Sequence, residues 1–261
     1  MSKFCPLFSG SSGNSTYIGT KNGGILVDAG SSLKSLKAAL EAAGGDIEEI
    51  KAIAITHEHT DHIKCLATLL KKHKIPVIAS EKTLDTLCSS GKIPDGSQTI
   101  AANKELDISG ILINRFSTSH DSIGSSGYTF TLPDGVKVGV CTDLGVMTDE
   151  VRSAIKGCAT LLIESNHDIE MLRRGPYPPE LKLRIMSDKG HLSNNACAVE
   201  LPELLKSGTT RFVLGHLSRH NNLPMIALSA SRAALADAGA EENRDYLLTA
   251  AKPQDNGVIY L

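Results

Sequence analysis

The chain has 261 residues, 41% of them apolar and 21% charged, the balance of an ordinary globular protein with length enough for one large α/β core; two smaller domains are the alternative. A formal charge of −2, the absence of Trp and an aromatic content of 4% exclude a broad basic coat and an advertised base-stacking surface, but leave room for a local basic groove. No apolar run approaches the roughly 20 residues that span a bilayer, so no membrane partner is expected.

The opening segment FCPLFSGSSGNSTYIGT sets a strand-like run before a Gly/Ser-rich loop, Ser9 to Ser15. Such a loop is either a flexible turn or a set of backbone donors near an anion. Ile25-Leu26-Val27 is a short strand ending in Asp28-Ala29-Gly30. Ser31 and Ser32 offer an N-cap to a helix whose Leu33, Leu36 and Leu40 share one face and which stops at Gly44.

Ile53-Ala54-Ile55 reads as a buried strand, and Thr56 to His62 follows it as THEHTDH. Alternation along an extended backbone points His57 and His59 the same way. Asp61 and His62 then open a helix that Ile63, Leu66 and Leu70 pack on the sheet, with His73 as a solvated residue at its far end. Two adjacent sets of imidazole and carboxylate ligands suit two divalent metals better than one.

Pro76 to Ala79 is a strand, and Ser80 to Ser90 a helix. Ile111 to Phe116 runs into STSHD with His120. Tyr128 to Leu132, Pro133-Asp134-Gly135 and Val136 to Thr142 form a hairpin that ends at Asp143. Strands at 161–163 and 212–214 end at Glu164 and at Gly215-His216. A helix near Pro224 to Ala238 and a strand near Gly257 to Leu261 close the chain. Strand after strand thus ends in His, Asp or Glu, and strand ends in α/β proteins gather at one edge, where sites are built. The six cysteines, Cys5, Cys65, Cys88, Cys141, Cys158 and Cys197, lie too far apart for a zinc knuckle or a redox dithiol. With no secretory signal at the start, reduced core cysteines in a cytoplasmic protein are expected.

THEHTDH, His120, Asp143 and Gly215-His216 together resemble the ligand series of the metallo-β-lactamase fold hydrolases, in order and spacing, over nearly the whole chain. The resemblance implies an αββα four-layer sandwich, with residues 1–261 as a single domain. It implies two divalent metal ions, Zn or Mn, with Fe suited to the same imidazoles. His57, His59 and His120 would hold the first, Asp61, His62 and His216 the second, and Asp143 would bridge them. A bridging hydroxide oriented by Asp61 would be the nucleophile.

SGSSGN, ESNHDIEMLRRGPYP and SDKGHLSNNA narrow the resemblance to the YycJ (WalJ) branch, which is associated with 5′-to-3′ nuclease activity on DNA. That branch implies a metal-dependent phosphodiesterase, an exonuclease with DNA as its substrate. His191 would protonate the leaving oxygen as catalytic acid; its structural alternative is a cap on the helix starting near Ser193. Ser11, Asn14, His167, Arg173 and Lys189 are the substrate-binding candidates, the last two within a basic stretch that also holds Arg174, Lys182 and Arg184. His167 would line the site or steady a ligand, and His220 would be a solvated loop residue. The absence of an inserted substrate-gripping cap favours a rival of the same fold, a small-molecule hydrolase cleaving a lactone, thioester, cyclic phosphate or β-lactam. A non-catalytic metal- or nucleic-acid-binding protein is the reading from another class. A homodimer whose second subunit completes the groove fits so small a domain.

Overall fold

The computed structural model describes all residues, 1–261. One seven-stranded sheet is built from β1 (Lys3–Phe8), β2 (Ser15–Thr20), β3 (Gly23–Val27), β4 (Ile50–Ala54), β5 (Val77–Ala79), β6 (Thr99–Ala101) and, beside β1, the final strand. The other is built from β7 (Leu106–Ile108), β8 (Ile111–Ser117), β9 (Ser126–Thr131), β10 (Lys137–Cys141), β11 (Thr160–Glu164), β12 (Arg211–Gly215) and β13 (Leu247–Ala250). The final strand is β14, Ile259–Tyr260. It runs antiparallel to β1, with Lys3 opposite Tyr260.

Side-chain alternation makes the layers. In β3 and β4, Ile25, Val27, Ala52 and Ala54 face inward, where they meet Ile113, Tyr128, Phe130, Val140, Leu162 and Val213 of the other sheet. Leu26, Ile53 and Ile55 face outward onto Leu36 and Leu40 of the helix Leu33–Ala42 and onto Leu66 and Leu69 of the helix Leu66–Lys72. A third apolar layer packs Cys141, Leu161, Ile163, Phe212 and Leu214 beneath Val151, Leu201 and Leu235 of flanking helices. Three apolar layers between four of secondary structure are the expected αββα sandwich. No helix is long and apolar enough to cross a membrane.

Sequence and structure part at several places. The helix expected from Asp61 to His73 is two, Thr60–Ile63 and Leu66–Lys72, because the Cys65 N–H leaves the helical ladder to donate to the Ala29 carbonyl at 3.0 Å. His73 is not solvated: its ring is 12% exposed and Nδ1 lies 3.0 Å from Glu48. Five cysteines are buried as expected, but Cys88 is exposed, since the helix Glu81–Ser89 turns it away from Leu84 and Leu87. His220 is exposed, its ring edge-on to Tyr177.

β3 and β4 are parallel, and β8, β10, β11 and β12 all run one way in their own sheet. Their C-terminal tips carry Asp28, Thr56-His57, His120, Asp143, Glu164 and His216 to a shared edge.

Candidate metal centre

The tips of β3 and β4 form one half of the centre. Thr56 is buried; its N–H and its hydroxyl donate to the two Asp28 oxygens, both at 2.8 Å. Since the Thr56 hydrogen goes to Asp28, its oxygen is left to accept from His57 Nδ1, 3.0 Å away. Asp28 also accepts from His62 Nδ1 at 2.7 Å. Both rings are thereby locked with Nε2 toward the centre, the outer-sphere support that orients imidazole ligands. His57 Nε2 faces His59 Nδ1 at 3.0 Å, two lone pairs opposed unless a cation or a proton lies between them.

Asn14 braces this half. Its Oδ1 accepts from Gly10 N at 2.8 Å, and its Nδ2 lies 3.2 Å from Asp61 Oδ2 and 3.0 Å from His62 Nε2. Asn14 N also donates to the Asp61 carbonyl. Gly30 must be glycine, since a Cβ there would overlap that same carbonyl. The Gly/Ser loop is thus a clamp on the Thr60–Ile63 turn.

The other half comes from separate strand tips. Ser119 and Arg184 hold the His120 loop, through the Asp188 carbonyl and the Asp121 carboxylate. His120 Nδ1 donates to the Gly190 carbonyl at 3.0 Å. Glu164, fully buried, accepts at Oε1 from His191 Nδ1 (2.8 Å) and from His216 Nδ1 (2.9 Å), and at Oε2 from Leu144 N (2.9 Å). One carboxylate therefore sets the tautomer of two imidazoles. Asp28, Asp143 and His216 have positive φ of 64°, 61° and 55°, conformations that cost a non-glycine residue about 1–3 kcal/mol each and cluster at functional sites.

Ligand atoms gather closely: His57, His59 and His120, then Asp61, His62 and His216, then His57, His62 and Asp143 each lie within 4.8 Å of one another. Asp143 Oδ2 is 3.5 Å from His62 Nε2, and its Oδ1 is 3.6 Å from His216 Nε2. Burial opposes charge here, yet the His216, His62, His57 and His120 imidazoles hold the Asp143 carboxyl well below its usual range. Burial likewise disfavours the charged His62, but Asp143 and Asp28 outweigh it and push the imidazole up to about 9. Burial would raise Glu164, and His191 with His216 bring it down to about 2.

Among the buried side-chain atoms that make no hydrogen bond, two belong to the centre: Asp143 Oδ2 and His216 Nε2. Unpaired anionic and imidazole atoms aimed at one point are costly, and a divalent cation satisfies both at once, so the residues present fit metal.

The remaining candidates are scattered. His191 is 18% exposed at the side chain and lies beside Asp143, with Nδ1 4.0 Å from its Oδ1; Ser193, not His191, caps the following helix. His167 is buried (3% exposed) with Nδ1 unpartnered, and burial pulls it down to about 4, so it offers no face to a substrate. Ser11 and Lys189 are exposed; Arg173 is exposed and paired with Glu170 at 2.9 Å. Sequence reasoning assigned no role to Asp28, Thr56 or Glu164. Their one signal was an acid or hydroxyl closing an apolar strand.

The beta-lactamase superfamily domain matches residues 24–217. The chain is 37% identical to the exodeoxyribonuclease YycJ of Bacillus anthracis over 90% of both chains. It is 38% identical to the exodeoxyribonuclease WalJ of Streptococcus pneumoniae strain R6, over 86% of this chain and 85% of that one. Among solved structures, the metallo-beta-lactamase fold protein YhfI of Bacillus subtilis superposes with a TM-score of 0.72 at 16% identity, over 98% of each chain.

Proposed function

The chain belongs to the metallo-β-lactamase superfamily of metal-dependent hydrolases, and from that premise we propose that it is a dinuclear phosphodiesterase, a 5′-to-3′ DNA exonuclease folded as one domain over residues 1–261. The likeness over nine-tenths of its length to a protein named exodeoxyribonuclease carries the substrate class.

His57, His59 and His120 would hold one divalent ion, Asp61, His62 and His216 the other, with Asp143 between them; Zn, Mn and Fe all suit imidazole and carboxylate. When bound, two such ions supply hydroxide near neutral pH and draw charge off the phosphoryl oxygen. Asp61, steadied by Asn14, would orient the attacking oxygen. As the bond from phosphorus to the leaving oxygen breaks, His191 would give that oxygen a proton from Nε2, the nitrogen that its bond to Glu164 leaves free. Glu164, which its two imidazole neighbours keep ionised, would hold the His191 ring in place for that transfer.

One observation favours the small-molecule reading: Arg173 and Arg174 pair with Glu170, and Arg184 with Asp121, so much of the basic rim is already neutralised. The deciding experiment follows 5′- and 3′-end-labelled single- and double-stranded DNA with the Mn- and Zn-loaded protein and Asp61→Ala alongside. Stepwise release from the 5′ end that needs metal and Asp61 is expected. Intact DNA at full metal loading would move the assignment to a small ester or phosphodiester.

A further inference from the structure

A cavity of about 490 Å³ opens beside the Asn14 clamp, lined by Ser12, Gly13, Ser31, Arg219, Lys252 and Gln254. No carboxylate lines it, and two cations do. Arg219 donates to the Ser12 hydroxyl at 2.7 Å, which joins the loop after His216 to the loop that holds Asp61. The Lys252 end is shaped by its own loop: Asn256 Oδ1 accepts from Lys252 N at 2.7 Å, and Asn256 Nδ2 donates back to the Lys252 carbonyl at 2.9 Å.

A guanidinium fork, an ammonium, two hydroxyls and an amide are the donor set of a phosphate pocket: two charges to neutralise the anion, and neutral donors for its remaining oxygens. The contrast with the opposite side is informative. There Arg173, Arg174 and Arg184 are bound to Glu170 and Asp121, whereas here neither cation is paired with an acid. The placement is close to the reacting group, since Gly13 precedes Asn14 and Arg219 stands three residues after His216.

We propose that this cavity binds a phosphate of the nucleic-acid strand adjacent to the one being cut. The inference rests on the nuclease reading of the metal centre. Either a terminal phosphate or an internal diester would supply the chemistry.

The test is fluorescence anisotropy with short 3′-fluorescein phosphorothioate oligonucleotides, which resist cleavage, bearing either a 5′-phosphate or a 5′-hydroxyl. Metal-loaded wild type, Arg219→Ala, Arg219→Lys and Lys252→Ala are titrated across a salt series, with metal content measured for each. Each alanine variant should weaken binding roughly tenfold. Each should also flatten the plot of log K against log salt by about 0.7, one phosphate contact on a single strand. Arg219→Lys should fall between. Weakening confined to the 5′-phosphorylated strand identifies a terminal phosphate; weakening of both identifies an internal one. Unchanged affinity and slope in all variants, with wild type cleaving ordinary DNA, overturns the pocket alone. Weakening that follows lost metal instead of the salt slope also overturns it. A wild type that binds neither strand overturns both pocket and nuclease.

Discussion

The two halves of the centre are built differently. The half at β3 and β4 takes four of its side chains from one stretch, His57 to His62, and braces them locally through Thr56, Asp28 and Asn14. The other half draws His120, Asp143, His191 and His216 from four separated segments, and one buried carboxylate, Glu164, holds two of them. The first half is a motif with local support; the second depends on the second sheet being packed correctly. Damage to the first should therefore stay local, and damage to Glu164 should spread.

The largest effect expected is on chemistry. His191→Ala should slow DNA hydrolysis by roughly 10²–10⁴ with metal content unchanged, as loss of a general acid does. Lost metal would instead make His191 a ligand. Glu164→Gln and Asp28→Asn set the two supports against each other. Each should cost roughly 10–100-fold in activity or metal affinity, and Glu164→Gln should fall in both because it touches His191 as well as His216. Equal and purely metal-affinity losses would erase the distinction between the halves.

A smaller effect separates them by pH. His167, under the second half, is held down to about 4 by burial, below its ordinary 6.5. Between those values the unfolded chain binds the proton and the folded one does not. Stability is therefore present above about 6.5 and is lost as pH falls toward 4. In metal-free protein, urea unfolding at pH 7 and pH 5 should show about 2 kcal/mol more loss for wild type than for His167→Gln. Identical pH slopes would show His167 open to solvent. Asn14→Ala should cost about 1–2 kcal/mol, from the Gly10 and Asp61 groups left without their partner. Glu48→Ala should change stability by no more than about 0.5 kcal/mol, because the carboxylate side of the His73 pair is 69% exposed and screened by water.

The same asymmetry decided what could be read from the amino-acid sequence. THEHTDH announces itself because its side chains are neighbours in the chain, and the strand tips bearing His120, Asp143 and His216 were found through their order relative to it. The architecture followed from a family resemblance, since alternation in Ile25–Val27 or Ile53–Ile55 says that a strand is buried on both faces but not which sheet it faces. Glu164 was visible as an acid at a strand end, yet that one oxygen meets both His191 and His216 depends on β11 lying between β10 and β12. The break at Cys65 was hidden for a like reason, because its partner, the Ala29 carbonyl, is distant in the chain. Resemblance points to Ser11 and charge to Arg173, but the exposure of the one and the Glu170 partner of the other are matters of three-dimensional placement.

The pairing of β1 with β14 has a consequence for synthesis. The first strand borders one made much later, and the Leu261 N–H donates to the Ser2 carbonyl. While the ribosome is still at work, the outer edge of β1 has nothing to cover it, and a bare strand edge is a template for pairing with another nascent copy. A substitution that stops β14 from pairing, such as Ile259→Pro, would leave the catalytic machinery intact and that edge bare. Its expected failing is aggregation during expression.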